Sequence, residues 1–185
     1  MNLILRFDFS VLNFIQAYMK SPVLDKIMLF FTHMGDFGFV WIAMSVILIL
    51  IKKYRKDGFI VGLALLIGYI VCNIILKNAF ARVRPYNFND TVTLLINAPE
   101  DFSFPSGHTC SSFAAAASMI FVSKKRLALP AAAAALIISF SRLYLYVHYP
   151  SDVITGAAVG ILSAAAAYKI IPAIPPLRKM KYSKQ

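Results

Sequence analysis

Five stretches of the chain are almost purely apolar, at 37–51, 59–76, 109–122, 127–147 and 153–171, and short polar segments part them. Apolar runs of this length, without period-two alternation, predict α-helices that cross a membrane. The first and third fall short of the roughly 20 residues that a hydrocarbon core requires, so each is expected to borrow flanking residues. Residues 1–34 follow another pattern. Leu3, Phe7, Val11, Phe14 and Tyr18 form an apolar stripe, opposed by Arg6, Ser10, Asn13 and Lys20 at helical spacing. This predicts an amphipathic helix in the membrane interface. A sixth span ending near Met34 is the alternative, with Pro22 dividing two helical pieces. The expected fold is therefore all-α, a polytopic transmembrane helical bundle of five to six spans with an N-terminal amphipathic helix. Arg6 and Asp8 interrupt the first apolar run and no small-residue cleavage site follows, so a removable signal peptide is not expected.

Composition supports the membrane reading. Of the 185 residues, 59% are apolar and 15% charged, and mean hydropathy is +0.70, too high for a soluble domain of this size. The net charge of +11 is carried by short clusters at the ends of apolar runs, a layout that argues against nucleic-acid binding. Lys52, Lys53, Arg55 and Lys56 follow the first span. Lys124, Lys125 and Arg126 part the third and fourth, and Arg178, Lys179, Lys181 and Lys184 follow the fifth. Counting crossings puts all three clusters on one face, which the positive-inside rule makes cytoplasmic. Asp90, Glu100 and Asp101 then fall on the outer face, in the long 84–105 loop. The length suits one domain. A single membrane-embedded unit is expected over 1–185, with the chemistry at 76–156. The alanine tracts 114–117, 131–135 and 164–167 predict helix–helix seams. Cys72 and Cys110 read as small buried hydrophobes, without metal or disulfide spacing.

The same crossing count brings a set of ionisable residues to the outer ends of the spans. Lys77 ends the second, and Arg84 and Pro85 follow. Pro105, Ser106, Gly107 and His108 lead into the third. Ser141 and Arg142 lie in the last turns of the fourth, with His148 at its end and Asp152 at the start of the fifth. Charged groups near a membrane are costly unless something uses them. Fixed cations around a transferring phosphoryl group are one such use, and Lys77, Arg84 and Arg142 can supply them. Ser106 suits the N-cap of a helix whose positive end, opened by Gly107, can approach a phosphate. Two histidines can divide nucleophile and proton-donor work near neutral pH. Asp152, four residues beyond His148, can hold one imidazole nitrogen while the other points at phosphorus. The acidic residues are few and scattered, which argues against a two-metal phosphatase. His33 reads as an interfacial helix residue, Arg82 as a headgroup contact, and Tyr144, Tyr146 and Tyr149 as members of an aromatic belt.

These residues carry a resemblance. Lys77-x6-Arg84-Pro85, Pro105-Ser106-Gly107-His108 and Ser141-Arg142-x5-His148-x3-Asp152 resemble the three signature motifs of the type 2 phosphatidic acid phosphatase superfamily, in order and without substitution at the defining positions. The resemblance covers roughly residues 76–156. It implies a phosphohistidine mechanism, with His148 as nucleophile, Asp152 orienting it and His108 protonating the leaving oxygen. Lys77, Arg84, Ser106, Gly107 and Arg142 would hold the phosphate, and water would complete turnover with no metal or organic cofactor.

A site at a bilayer face makes a lipid phosphate the natural substrate. Polyprenyl pyrophosphate, such as undecaprenyl pyrophosphate, is the expectation that the resemblance favours. Phosphatidylglycerophosphate and phosphatidate are the alternatives, since no motif residue reads the leaving-group side. The expected location is the plasma membrane, with the active site facing the extracytoplasmic side. A non-hydrolytic anion-binding transporter would use the cations but leave His148 and Asp152 without a task. A phosphotransferase with an acceptor other than water would use the same histidine. The sequence is silent on oligomeric state.

Overall fold

The computed structural model describes residues 3–89, 91–122 and 125–178. Helices α1 (Leu3–Tyr18), α2 (Pro22–Met34), α3 (Phe39–Leu50) and α4 (Arg55–Tyr69) come first. A π-helical stretch, Ile70–Leu76, carries α4 on into α5 (Lys77–Phe80), and α6 (Gly107–Phe121), α7 (Lys125–Tyr144), α8 (Pro150–Ile170) and α9 (Pro175–Arg178) follow. No strand forms among the described residues, as the all-α reading expects. Each of the five apolar stretches falls on a helix, and Pro22 begins the second N-terminal piece at the first position of α2.

Length and hydropathy let Arg55–Phe88, Arg126–Tyr144 and Pro150–Ala173 cross a membrane unaided, and Pro22–Met34 with Asp36–Leu50 adds a fourth span if that pair, bent by 45°, counts as one. The helix on the third apolar stretch is too short to cross unaided. This helix, α6, has 15 residues, nine of them buried, and packs against α4, α7 and α8. A central helix is covered by protein rather than by lipid, so it can keep polar groups: Ser112 accepts from Trp41 Nε1 at 2.9 Å, and Ser118 donates to the Ala114 carbonyl.

The alanine tracts do lie at seams. Ala114 to Ala117 are buried, as are Ala135, Ala164 and Ala167. Where α6 crosses α8, a Cβ on Gly160 would meet the Cys110 carbonyl oxygen at 2.4 Å, and one on Gly156 the Ser106 carbonyl oxygen at 2.6 Å. Backbones this close admit only glycine. Cys72 and Cys110 are both buried and unbridged.

The N-terminal segment covers the end of the bundle where α7 gives way to α8. α1 exposes Leu3, Phe7, Phe14 and Tyr18 and turns Asp8, Leu12 and Ile15 inward. An outward apolar stripe suits an interfacial helix. The tyrosines correct an expectation. Tyr144, Tyr146 and Tyr149 are buried rather than in a belt, because each finds a partner inside. The Tyr144 hydroxyl donates to Asp25 Oδ1 at 2.6 Å, Tyr146 donates to Asn13 at 3.1 Å, and Tyr149 stacks under Arg82. A buried aromatic with a satisfied polar end needs no interface. Asp90, Lys124, Lys179, Lys181 and Lys184, which enter the charge-based orientation, lie outside the described residues.

Candidate active site

Three separate segments build the site. The first is the end of the long α4 run, which delivers Lys77 buried, after which Ala81 leaves the helix with a φ of 43°. Arg84 is extended (φ −75°, ψ 153°), the conformation that a following proline favours. The second is the start of α6. Ser106 is its N-cap, accepting from the Thr109 amide at 3.4 Å, and Gly107 leaves room for Asn73, whose Oδ1 would lie 2.7 Å from a Cβ there. The third joins α7 to α8. The Arg142 carbonyl accepts from the Val147 and His148 amides at 3.2 and 3.3 Å, and Tyr146 turns the chain with a φ of 60°. Asp152 then caps α8 by accepting from the Tyr149 amide at 2.9 Å. The Ser106 amide donates to the Asp152 carbonyl at 3.1 Å, tying the second segment to the third.

Lys77, Arg84, Gly107, His108, Arg142 and His148 line one cavity of about 1240 Å³. Ser106 and Asp152, both fully buried, support them from behind. All eight residues singled out in the sequence thus meet in one place.

His148 has a defined tautomer. Its Nε2 is 3.2 Å from Arg84 Nη1, and a guanidinium only donates. Nε2 therefore carries the lone pair, and the ring proton lies on Nδ1, which faces Asp152 Oδ2 at 3.4 Å. Burial, followed by the nearby Arg84, Arg142 and Lys77 charges, pushes the His148 pKa well below its ordinary value. The ring is neutral at physiological pH, with its lone pair on the edge beside the cations. Asp152 is held by Arg82 Nη1 at 2.6 Å, by Ser103 and by the Tyr149 amide.

Such an arrangement suits in-line attack on a phosphoryl group. Residues 57–175 match the family model described as the PAP2 superfamily. The chain belongs to that family. It is 32% identical over 146 residues to the undecaprenyl-diphosphatase of Sulfolobus acidocaldarius, a match covering 77% of this chain and 68% of that protein. The lipid A 4'-phosphatase of Bacteroides thetaiotaomicron is also 32% identical, over 76% of this chain and 66% of its own length. The crystal structure of Aquifex aeolicus LpxE superposes with a TM-score of 0.76 at 28% identity, over 91% of this chain and 96% of that one. The chain is thus a membrane phosphatase of the PAP2 superfamily, with the helical fold of that family's transmembrane members.

The PAP2 motifs do not exhaust the site. Asp101, from the loop before α6, pairs with both Lys77 and Arg84, the latter at 2.5 Å. Burial raises its pKa, but the Lys77 and Arg84 charges outweigh that and bring it down to about 2. Asp36 meets His108 Nε2 at 3.0 Å and His33 Nδ1 at 2.9 Å. His33 therefore lines the cavity rather than serving only the interface. Arg82 is not a headgroup contact. Its guanidinium spans from Asp152 to the buried Asp8 of α1 at 2.7 Å and donates to Ser151 Oγ at 2.7 Å. The signal in the sequence was slight: an aspartate interrupting an apolar helix at position 8, and loop acids read only as outer-face charge.

Proposed function

We propose that this PAP2 phosphatase hydrolyses polyprenyl diphosphate, of the undecaprenyl type, at the extracytoplasmic face of the plasma membrane. One observation carries the substrate class. The cavity that holds the cation cluster continues between α3 and α4 along Ile42, Val46, Leu65, Leu66 and Tyr69. Ile42, Val46, Leu66 and Tyr69 are exposed on the outside of the bundle. An apolar arm open to the flank accepts a lipid tail from the bilayer while the headgroup meets the cations. An undecaprenyl-diphosphatase and a lipid A 4'-phosphatase are among the relatives, and a single prenyl tail asks less room of the arm than a multiply acylated lipid does. The basic residues between the apolar runs support the outward orientation.

In the proposed reaction His148 Nε2 attacks the terminal phosphorus. The bridging P–O bond breaks, and His108 gives its proton to the departing lipid monophosphate. Lys77, Arg84, Arg142 and the amides at the start of α6 take up the charge on the equatorial oxygens. Water then attacks the phosphohistidine, His108 recovers a proton from it, the P–N bond breaks and orthophosphate leaves. Asp152 keeps the Nδ1 proton in place throughout.

Phosphate release by the purified protein in detergent, from undecaprenyl diphosphate, phosphatidylglycerophosphate, phosphatidate and a lipid A 4'-phosphate at equal surface concentration, tests the substrate. The expected order puts the prenyl diphosphate first in kcat/KM. A higher kcat/KM for any acyl lipid would overturn the choice.

A further inference from the structure

We propose that Asp36 is a positioning residue for His108, forming a second histidine–aspartate pair that mirrors His148 and Asp152; this rests on His108 being the proton donor of the proposed reaction. Three observations place it. Asp36 Oδ1 lies 3.0 Å from His108 Nε2, while Oδ2 is engaged by His33 Nδ1 at 2.9 Å, so the carboxylate is fixed at both oxygens. The turn that carries it is built for the purpose. Phe37, with a φ of 52°, and Gly38, with a φ of 68°, both adopt the left-handed region, a conformation a phenylalanine rarely takes. The turn also passes close to the ring, since a Cβ on Gly35 would meet His108 Cδ2 at 2.7 Å.

The chemistry calls for such a partner. Arg142 and Lys77 are the cations whose fields reach His108, and they work against the imidazolium that must form when the ring takes a proton from water. A carboxylate on the opposite ring nitrogen offsets them and fixes which nitrogen turns toward the leaving oxygen. His33 then steers the carboxylate.

Leaving-group dependence tests this. A poor leaving group, a lipid phosphate, needs protonation as the P–O bond breaks; p-nitrophenyl phosphate, whose product is a stable anion, does not. In Asp36→Asn, single-turnover cleavage of undecaprenyl diphosphate should slow by about tenfold to a hundredfold. The nitrophenolate burst should stay within about twofold of wild type. Asp36→Glu should recover part of the lipid rate, and circular dichroism melting identifies any variant that has lost its fold. Equal slowing on both substrates by folded Asp36→Asn, or slowing on neither, overturns the proposal. The proposed function fails by a separate sign, a nitrophenolate burst that survives in His148→Ala.

Discussion

Asp101 holds with its carboxylate the two cations, Lys77 and Arg84, that a substrate phosphate would need. With its pKa lowered to about 2, it stays ionised at any working pH. Phosphate must take its place, at the cost of breaking two charge-assisted contacts. Asp101→Asn should therefore strengthen product inhibition by inorganic phosphate, lowering its inhibition constant severalfold. Weaker inhibition would mean that the carboxylate organises the cations instead. His148 gives a pH prediction of definite sign. Its pKa is pushed below the ordinary value of 6.5 by burial and by neighbouring cations, so the free enzyme keeps the lone pair as pH falls through 6.5. The acid limb of kcat/KM should lie well below that value. The same shift acts on folding. Between the folded pKa and 6.5 the unfolded chain binds the extra proton, so this contribution to stability is full above 6.5 and is lost as pH falls. Hydrolysis rates and thermal melts across pH 4 to 8 check both.

At the scale of elements, α1 is tied to the chemistry through a chain of charges. Asp8 Oδ1 accepts from the Ser151 amide at 3.0 Å, Asp8 Oδ2 accepts from Arg82, and Arg82 reaches Asp152. Removing Asp8 leaves Arg82 held only by Asp152, Ser151 and the Tyr149 ring, and takes one acceptor from the α8 N-terminus that carries Asp152. Asp8→Ala should lower kcat on the order of a hundredfold, the scale on which a misplaced catalytic group costs rate, and should depress the melting temperature. An unchanged kcat would show that α1 is only a cover. The α6–α8 seam is a matter of packing. Gly160→Val would drive a side chain into the Cys110 carbonyl and should cost at least about 1–3 kcal/mol, the usual range for overpacking, read as a fall in thermal stability in detergent. The helices were legible in the sequence because apolar runs mark them directly. α6 was legible too, but not its place at the centre. Serines at 112 and 118 in an apolar run signal shelter from lipid only when the neighbouring helices are known.

For the molecule as a whole, the motifs alone bring eight residues to one face, because each lies at or near a helix end and crossings can be counted. What could not be counted was the layer that holds them. Asp36, Asp101 and Asp8 reach the site from the turn before α3, the long loop and α1. A lone aspartate in a loop has no periodicity and no fixed partner spacing, so its target emerges only from the fold. The burial of Tyr144, Tyr146 and Tyr149 was hidden for a related reason: aromatic residues near a helix end look alike whether they meet lipid or a covering helix. The open flank between α3 and α4 is likewise a property of the assembled bundle.

In the proposed reaction His148 becomes phosphorylated once in every turnover. Quenching wild-type protein within one turnover of undecaprenyl diphosphate carrying a labelled terminal phosphate, then mapping the label by mass spectrometry, tests it directly. The expected result is an acid-labile, alkali-stable phosphoryl group on His148, formed faster than orthophosphate appears and absent from His148→Ala. Label on any other residue, or steady-state turnover by His148→Ala at the wild-type rate, would contradict it.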